Sequence, residues 1–227
     1  MSDCWFVLNS GPGAAAENMA VHEALLEVAP RLGQPVLRFY GWCESAATFG
    51  YFQKYAEVER FTPLRPLIRR PTGGGLVPHN ADWTYSLVFP PNDPWYGLKA
   101  VESYRRVHEW IQAAFARLET TTELAPQSFK EIPGQCFVGA EQFDVLWQQR
   151  KIAGAAQRRT KHGLLIQGSI QPPPGVERGE FEESLRQIGS ARGQVEWKPL
   201  RLTAEVQTRI AELAQLKYSQ ESFNRRR

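Results

Sequence analysis

The sequence predicts a single α/β (α+β) domain in which strands and helices alternate along the chain. Short runs rich in aromatic and β-branched residues have the pattern of buried strands. Between them lie segments whose apolar residues step by three and four, which is the spacing of a helix with one buried face. With 227 residues, of which 42% are hydrophobic and 22% charged, the chain is long enough for one sizeable domain. No repeat or low-complexity linker divides residues 1–227, so we expect one domain.

The N-terminal part is predicted to contain one helix between strands. Residues 4–8 form a short apolar run, and residues 18–29 carry apolar residues at helical spacing. We expect Pro30 and Gly33 to end this helix, because proline cannot donate the next hydrogen bond and glycine favours the turn that closes a helix. The segments that follow are predicted to be a strand at residues 36–42, a polar connection at residues 56–62 and a buried strand at residues 83–89.

The C-terminal part begins with the clearest helix, residues 98–118, whose apolar residues keep helical spacing over its whole length. The segments after it are predicted to be a hairpin with arms at residues 143–147 and 151–156, and a strand at residues 164–170. Short helices between about residues 178 and 218 are expected to pack on the domain. Thr203 has the side chain and position of a helix N-cap.

Composition and charge exclude several classes of protein. No apolar run approaches the roughly 20 residues that span a bilayer, and the N-terminus lacks the basic start and apolar core of a signal peptide. Three cysteines far apart in sequence argue against a disulfide framework, so we expect a cytoplasmic protein. Four scattered histidines without a CxxC or HExxH motif predict no metal site. A net charge of +3 is too small to predict nucleic-acid binding.

The positive charge is nevertheless clustered along the chain. Pairs or triplets of basic residues that can steer an acidic protein partner occur at residues 69–70, 105–106, 158–161 and 225–227. For the last group we expect a frayed, solvated tail.

Residues 69–79, RRPTGGGLVPH, contain three consecutive glycines, Gly73, Gly74 and Gly75. Glycine loses more backbone entropy on folding than any other residue, so such a run belongs where the backbone needs positive φ or where a ligand lies against bare main chain. The run is not a phosphate-binding P-loop, because no Lys-Ser/Thr pair follows it. We expect the floor of a binding site, and a glycine-rich hairpin without a ligand is the alternative.

Together with KIAGAAQ at residues 151–157, this run resembles the biotin/lipoate protein ligase superfamily. In its lipoate branch an RR-x-[ST]-GGG/R-x-V-x-H run is followed by K-[IV]-x-G-[SA]-A-Q. The resemblance covers most of the chain from about residue 15 to 170. It implies a mixed, largely antiparallel sheet flanked by helices.

The resemblance is closest to octanoyltransferases of the LipM type. In those enzymes a cysteine followed by phenylalanine precedes the motif lysine by the separation found here between Cys136 and Lys151, and it carries the acyl group. The resemblance therefore implies that Cys136 is the nucleophile. An ammonium at Lys151 would lower the pKa of that thiol and donate hydrogen bonds to the acyl carbonyl.

The other motif residues are predicted to form the binding site. The glycine run with Leu76 and Val77 would floor a narrow apolar tunnel, and Gly154, Ala155 and Ala156 would leave room for an acyl chain. His79 would assist proton transfer or anchor its loop, and both roles stay open. Arginine suits bidentate phosphate contacts, so Arg69 and Arg70 are candidates for binding a phosphopantetheine arm or a nucleotide.

The first prediction for function is an acyltransferase that moves an octanoyl or lipoyl group through a cysteine thioester onto a lysine of a lipoyl domain, without a cofactor. An acyl-carrier protein or a lipoylated protein would be the donor. A glycine cleavage H protein or an E2-type lipoyl domain would be the acceptor. One alternative is an ATP-dependent lipoate-protein ligase catalytic domain that uses Mg²⁺, with Lys151 on the carboxylate. A second is a non-catalytic protein that binds a lipoyl domain or an acyl ligand.

Overall fold

The computed structural model describes residues 3–129, 139–193 and 195–226, and these residues form two sheets with helices around them. The strands are β1 (Asp3–Gly13), β2 (Val36–Trp42), β3 (Ala46–Phe49), β4 (Leu67–Arg69), β5 (Val77–His79), β6 (Trp83–Phe89), β7 (Glu123–Leu124), β8 (Val145–Trp147), β9 (Arg150–Thr160), β10 (Gly163–Ile170) and β11 (Val195–Pro199). The helices are α1 (Ala15–Leu32), α2 (Tyr55–Val58), α3 (Ala100–Arg117), α4 (Arg178–Gly193), α5 (Ala204–Leu213) and α6 (Glu221–Asn224), with a 3₁₀ turn at Pro94–Gly97 and a π-helical turn at Ala214–Tyr218.

The main sheet has eight strands in the order β11-β1-β2-β6-β10-β9-β8-β7. β1 pairs in parallel with β2 and with β11, and every other neighbouring pair in this sheet is antiparallel. A small second sheet has the order β4-β3-β5. The predicted fold class, a mixed and largely antiparallel sheet flanked by helices, is confirmed.

Both faces of the main sheet are covered. On β2, Leu37 and Phe39 pack in a cluster with residues of α3 and α4, whereas Val36 packs in a second cluster with residues of α1 and α5. This alternation follows from the two-residue period of a strand. Because helices cover each face, the central strands are buried almost throughout, which explains their near-continuous apolar sequences.

Several predicted elements lie where the sequence placed them. The hairpin forms with β8 and β9 as its arms, and Thr203 caps α5 by accepting a hydrogen bond from the Val206 N–H. α4 packs against α3 and α5 against α1. That residues 1–227 form a single catalytic domain stays a prediction.

Of the two residues predicted to end helix α1, Gly33 does so, whereas the prediction for Pro30 is wrong. Helix α1 continues past Pro30 to Leu32, and Gly33, at φ 65°, ends it by donating its N–H to the Ala29 carbonyl. A proline so near the end of a helix costs it a single hydrogen bond, which the cap offsets. The prediction of a frayed tail is also wrong for Arg225 and Arg226, whereas Arg227 lies outside the described residues. The guanidinium carbons of Arg225 and Arg226 lie 4.2 Å and 4.1 Å from the ring centroids of Tyr55 and Tyr51.

The short strands β3, β5 and β11 and the short helix α2 lie in segments for which the sequence predicted other structure or none. β3 is held by pairing with β4 and β5, and β11 by pairing with β1. Among the helices of the described ranges, none combines the length with the apolar composition that crossing a bilayer requires.

Candidate active site

A cavity of about 310 Å³ lies between β9, β10 and the glycine-containing loop that precedes β5. The residues that line it share small or polar side chains on most sides and bare backbone on the rest. They are Met19, Tyr40, Thr48, Gln53, Arg70, Gly74, Gly75, Val77, His79, Gly139, Ala140, Glu141, Asp144, Lys151, Gly154, Ala155, Ala156, Gln167, Gly168 and Ser169. A cavity lined partly by small side chains and bare backbone, with polar groups on its other sides, suits a ligand that has both an apolar part and a polar end.

Lys151 lies in the cavity wall as half of a buried ion pair. Its Nζ is 2.7 Å from Asp144 Oδ2, and the two side chains are only 7% and 5% exposed. The same carboxylate oxygen of Asp144 accepts a hydrogen bond of 2.7 Å from the Glu141 N–H. A buried ammonium requires a partner of this kind, since an unpaired charge away from water costs several kcal/mol.

Gly154 provides the space in which the Lys151 side chain lies. A Cβ atom added at Gly154 would be 2.6 Å from Lys151 Cε, 2.8 Å from Lys151 Nζ and 3.0 Å from Asp144 Oδ1. Any larger residue would displace the ammonium from its position beside Asp144. The room left at this glycine is therefore taken by the lysine side chain, while Gly154 still contributes to the cavity wall.

An irregularity between β8 and β9 aims Lys151 at the cavity. Val145 pairs with Ala153 but Leu146 pairs with Lys151, so Ile152 is an extra residue on β9. Such a bulge reverses the in-and-out alternation of a strand. Lys151 and Gly154, three residues apart, consequently face the same cavity. The hairpin turn itself holds Gln148 and Gln149 at φ 48° and 63°.

The glycine run lies against another stretch of bare backbone. Gly74 has φ 83°, and a Cβ added at Gly50 would lie within 2 Å of the Gly74 carbonyl oxygen. Gly74, Gly75 and Val77 line the cavity. Two other predicted residues do not: Gly73 has open space where a Cβ would be, and Leu76 packs in a separate apolar cluster with Phe49 and Tyr55.

The two adjacent arginines do different things. Arg70 reaches the cavity and holds the loop, because its Nε and Nη2 donate to the Gly73 carbonyl at 3.0 Å and 2.5 Å and its Nη1 donates to the Thr48 carbonyl at 3.2 Å. Arg69 lies outside the cavity lining and is fully buried. Its guanidinium donates to the carbonyls of Tyr51, Gln53 and Asn224. The structure thus places Arg69 where it anchors the C-terminal helix α6, not beside a ligand.

His79 is buried with both ring nitrogens engaged. Nδ1 is 2.8 Å from Asp82 Oδ2 and Nε2 is 2.8 Å from Thr48 Oγ1, and the ring stacks on Trp42 with centroids 3.8 Å apart. Ser169 also donates to Asp82 Oδ2, at 2.6 Å. A histidine tied at both nitrogens holds its loop against the sheet, and this geometry favours the anchoring role.

A second buried chain of hydrogen bonds supports the opposite wall. Thr72 donates to Gln167 Oε1 at 2.7 Å, and the Gln167 amide donates to His22 Nδ1 at 2.6 Å. Burial, reinforced by the charge of Arg38, holds the pKa of His22 well below its usual value. His22 is consequently a neutral acceptor near pH 7, and it fixes the orientation of Gln167 in the cavity wall.

Sequence reasoning missed most of the polar residues of the cavity. Asp144, the partner of Lys151, lies near the start of one predicted hairpin arm, and Lys151 begins the other. That a carboxylate and an ammonium lie on opposite arms of one hairpin was the signal that could have identified this pair. Gln167 and Ser169 lie within a strand that reads as apolar, and they reach the cavity only because β10 pairs with β9. No short motif identifies such residues, since the sheet brings them together.

Cys136, the predicted nucleophile, lies outside the described residues. The described chain resumes at Gly139, which lines the cavity with Ala140 and Glu141. Across the described ranges, no group of three or more histidine, cysteine, aspartate or glutamate residues is arranged to hold a metal ion.

Residues 14–176 match the lipoyl protein ligase A/B catalytic domain family. The chain belongs to that family. The matched residues include the glycine run, Lys151 and the strands that line the cavity. All residues that line the cavity therefore lie within the part of the chain that matches the family.

Two relatives in this family are named octanoyltransferase LipM. The one from Carboxydothermus hydrogenoformans is 33% identical over 174 residues, and the one from Bacillus subtilis is 33% identical over 181 residues. In both cases the match covers 74% of this chain and 65% of the relative. The matched part thus spans less than two thirds of the length of these relatives.

A solved structure has the same fold. The bi-partite lipoate protein ligase of Thermoplasma acidophilum superimposes with a TM-score of 0.75 at 21% identity, covering 99% of this chain and 96% of that chain. The lipoyl ligase fold that the sequence motifs predicted is confirmed.

Proposed function

We propose that the protein is an acyltransferase that moves an octanoyl group, or a lipoyl group, through a cysteine thioester onto a specific lysine of a lipoyl domain. The observation that carries the proposal is the buried Lys151–Asp144 pair in the wall of a cavity to which glycine, alanine and valine contribute alongside polar residues. The relatives named octanoyltransferase LipM support it. We further propose that transfer needs no ATP, metal or other cofactor, and that it occurs in the cytoplasm.

In the first step of the proposed reaction, the Cys136 thiolate attacks the carbonyl carbon of the donor thioester. A new carbon–sulfur bond forms to Cys136, the bond to the donor sulfur breaks, and the donor thiolate takes up the proton that the Cys136 thiol gave up. Exchange of one thioester for another is nearly isoenergetic, so no nucleotide is consumed. The Lys151 ammonium favours the thiolate and the negative charge that develops on the carbonyl oxygen.

In the second step, the neutral amine of the acceptor lysine attacks the acyl-Cys136 carbonyl. A carbon–nitrogen bond forms, the carbon–sulfur bond breaks, and the proton released by the amine returns to the Cys136 sulfur. The product is an amide, and the enzyme is ready for another donor. Because an amide is more stable than a thioester, this step makes the overall transfer favourable.

The donor we propose is an acyl-carrier protein or a lipoylated protein, and the acceptor a lipoyl domain of a glycine cleavage H protein or of an E2 type. The acyl chain would lie along Gly154, Ala155 and Ala156 on β9 and against Gly74, Gly75 and Val77 of the glycine loop. With small residues on both sides, the cavity accepts a linear chain and excludes bulky acyl groups.

The test is intact mass spectrometry after incubation with octanoyl-carrier protein. The wild type should gain the mass of one octanoyl group, removable by hydroxylamine, and should then octanoylate a lipoyl domain. Cys136→Ser should lose the hydroxylamine-sensitive adduct and the transfer, whereas Cys43→Ser, at an exposed cysteine, should keep both. A Cys136→Ser protein that modifies the lipoyl domain when given ATP and lipoate would be a ligase. A wild type with neither adduct nor ATP-dependent activity would be a binding protein.

A further inference from the structure

Tyr51 holds two arginines on its ring, next to the cavity. The guanidinium carbon of Arg158 is 4.8 Å from the ring centroid and that of Arg226 is 4.1 Å from it. Tyr51 is half-buried, Arg158 is half-buried and Arg226 is exposed. We call these three residues the arginine–tyrosine rim. Stacking of this kind fixes the planes of the two guanidiniums while leaving their edges able to donate hydrogen bonds.

The rim lies beside two parts of the cavity wall. Tyr51 is two residues before Gln53, which lines the cavity, and Arg158 is two residues beyond Ala156, which also lines it. Arg158 Nη1 donates to the Pro71 carbonyl at 3.1 Å, just ahead of the glycine run. These positions put the rim within a few residues of the cavity on both β9 and the loop after β3.

The rim carries positive charge without a matching carboxylate. Among the described residues, neither Arg158 nor Arg226 has an acidic partner, whereas most other surface arginines do. The ion-paired arginines are Arg31, Arg65, Arg105, Arg106, Arg178, Arg186, Arg209 and Arg225. Hydrogen bonds from Arg226 and then from Arg158 hold the pKa of Tyr51 below its usual value, against the opposing effect of its partial burial. Two guanidiniums that are held in place, and that no carboxylate of the described ranges pairs with, suit the binding of an anion.

The proposed function narrows the anion to one chemical class. The donor thioester must reach the neighbourhood of Lys151 while its carrier remains outside, so a thin arm must connect the two. When the carrier is an acyl-carrier protein, that arm is a phosphopantetheine, which has a single phosphodiester at its protein end. Planar guanidiniums match phosphate oxygens in geometry and charge better than any other side chain.

We propose that the arginine–tyrosine rim binds the phosphodiester of the donor's phosphopantetheine arm. This inference rests on the proposed transferase activity. It assigns the phosphate to arginines that are more exposed than Arg69 and Arg70, whose buried guanidiniums donate to backbone carbonyls of the protein itself.

The test compares three donors that carry the same octanoyl thioester: octanoyl-carrier protein, octanoyl-phosphopantetheine and octanoyl-pantetheine, which lacks the phosphate. In Arg226→Gln and in Arg158→Gln, the KM for the first two donors should rise about tenfold with kcat nearly unchanged, the loss expected for charge-assisted hydrogen bonds. The KM for octanoyl-pantetheine should stay at the wild-type value. Arg226→Lys should keep part of the affinity because it keeps the charge.

Arg31→Gln is the matched control, because Arg31 is an exposed arginine paired with Glu205; all three KM values should remain those of the wild type. Arg158 also donates a hydrogen bond to the Pro71 carbonyl, so its replacement could destabilise the fold. Urea unfolding of each variant checks that the free energy of unfolding remains close to that of the wild type.

Other outcomes would overturn the inference. Equal changes for all three donors, or no change for any, would show that the rim does not bind the phosphate. A rise confined to octanoyl-carrier protein would mean that the rim binds an acidic protein surface instead. A wild type that transfers from none of the donors would remove the proposed function and this inference with it, whereas unchanged variants of an active enzyme would remove the inference alone.

Discussion

At the scale of single residues, the position of the Lys151 ammonium depends on a neighbour that has no side chain. Gly154 leaves the volume in which the last carbons of the lysine lie, and Asp144 supplies the charge that makes burial of the ammonium tolerable. The two neighbours act in different ways. Replacement of Gly154 should therefore affect mainly activity, and replacement of Asp144 should affect stability.

Gly154→Ala should reduce the rate of acyl transfer by at least tenfold and change stability little. The new methyl group overlaps Lys151 Cε and Nζ, and the end of a flexible side chain can move aside at small cost while the ammonium leaves its place. Transfer kinetics and urea unfolding measure the two effects. Gly179→Ala, where an added Cβ meets nothing within 4 Å, is the control. Wild-type activity in Gly154→Ala would show that the ammonium position does not matter.

Asp144→Asn should destabilise the protein by about 3–5 kcal/mol, because it removes the carboxylate that forms a buried ion pair with Lys151. Lys151→Met should also destabilise it, since the Asp144 carboxylate then loses its cation. The double variant should be more stable than the sum of the two losses predicts, by at least about 1 kcal/mol. Urea unfolding of the four proteins gives this coupling. Additive losses would mean that the pair contributes nothing as a pair.

At the scale of elements, the sequence predicts those helices and strands that have a strong local pattern. It does not predict the short strands that exist because of pairing with distant segments. The helix at residues 98–118 and the strand at residues 83–89 have strong periodicity, and both are present. β3 and β11 are short, and their existence depends on partners far away in the chain. No local pattern reveals them, because pairing rather than propensity decides short strands.

The same distinction decides which residues of the site could be predicted from the sequence. Lys151, Gly154, Gly74 and Val77 belong to contiguous motifs, and all line the cavity. Arg69 and Arg70 are neighbours in sequence, but the side chains of successive residues in extended backbone point to opposite sides. Of the two neighbouring arginines, one therefore reaches the cavity and the other reaches helix α6.

Helix α6 is a short element tied to the second sheet by contacts of Arg69 with Asn224, and the Asn224 side chain makes one of them. Asn224 Oδ1 accepts from the Arg69 N–H at 2.8 Å, and its amide donates to the carbonyls of Tyr218 and Gln220 at 2.9 Å and 3.1 Å. The contact joins the C-terminal part of the chain to the strand that leads into the glycine run.

Asn224→Ala should lower the free energy of unfolding by about 1–3 kcal/mol, because it leaves the buried Arg69 N–H without an acceptor. Hydrogen exchange at residues 67–79 should accelerate as well. Ser222→Ala, at an exposed position of the same helix, should change the free energy of unfolding by no more than about 0.5 kcal/mol. It should leave hydrogen exchange at residues 67–79 unchanged. An Asn224→Ala protein as stable as the wild type would show that α6 is not a support for the loop.

At the scale of the whole molecule, two buried histidines make stability depend on pH. Burial lowers the pKa of His22 and of His108 below the usual 6.5, with Arg38 adding to the effect at His22. At His108, the Asp144 charge and a hydrogen bond to the Phe143 carbonyl oppose the shift without cancelling it. Near pH 6.5 these two histidines therefore bind protons in the unfolded chain, whereas in the folded protein they remain neutral.

The free energy of unfolding should consequently be steady above pH 7 and fall as the pH drops below 6.5, by up to about 1.4 kcal/mol per pH unit for each histidine. Urea unfolding at pH 7.5, 6.5 and 5.5 measures the slope. His22→Gln should reduce it, and the double variant with His108→Gln should reduce it further. Identical slopes in the wild type and the double variant would assign the pH dependence to other groups.

The strand order also has a bearing on biosynthesis. β1 is translated well before β11, which is one of its two neighbours in the sheet. Until that segment emerges, the nascent chain exposes one edge of β1, an open template for wrong pairing. Asn224 follows later still, so the arginine-bearing strand before the glycine run lacks this acceptor until Asn224 has been translated. The strand next to the cavity therefore completes its contacts only after segments far downstream in the chain have been made.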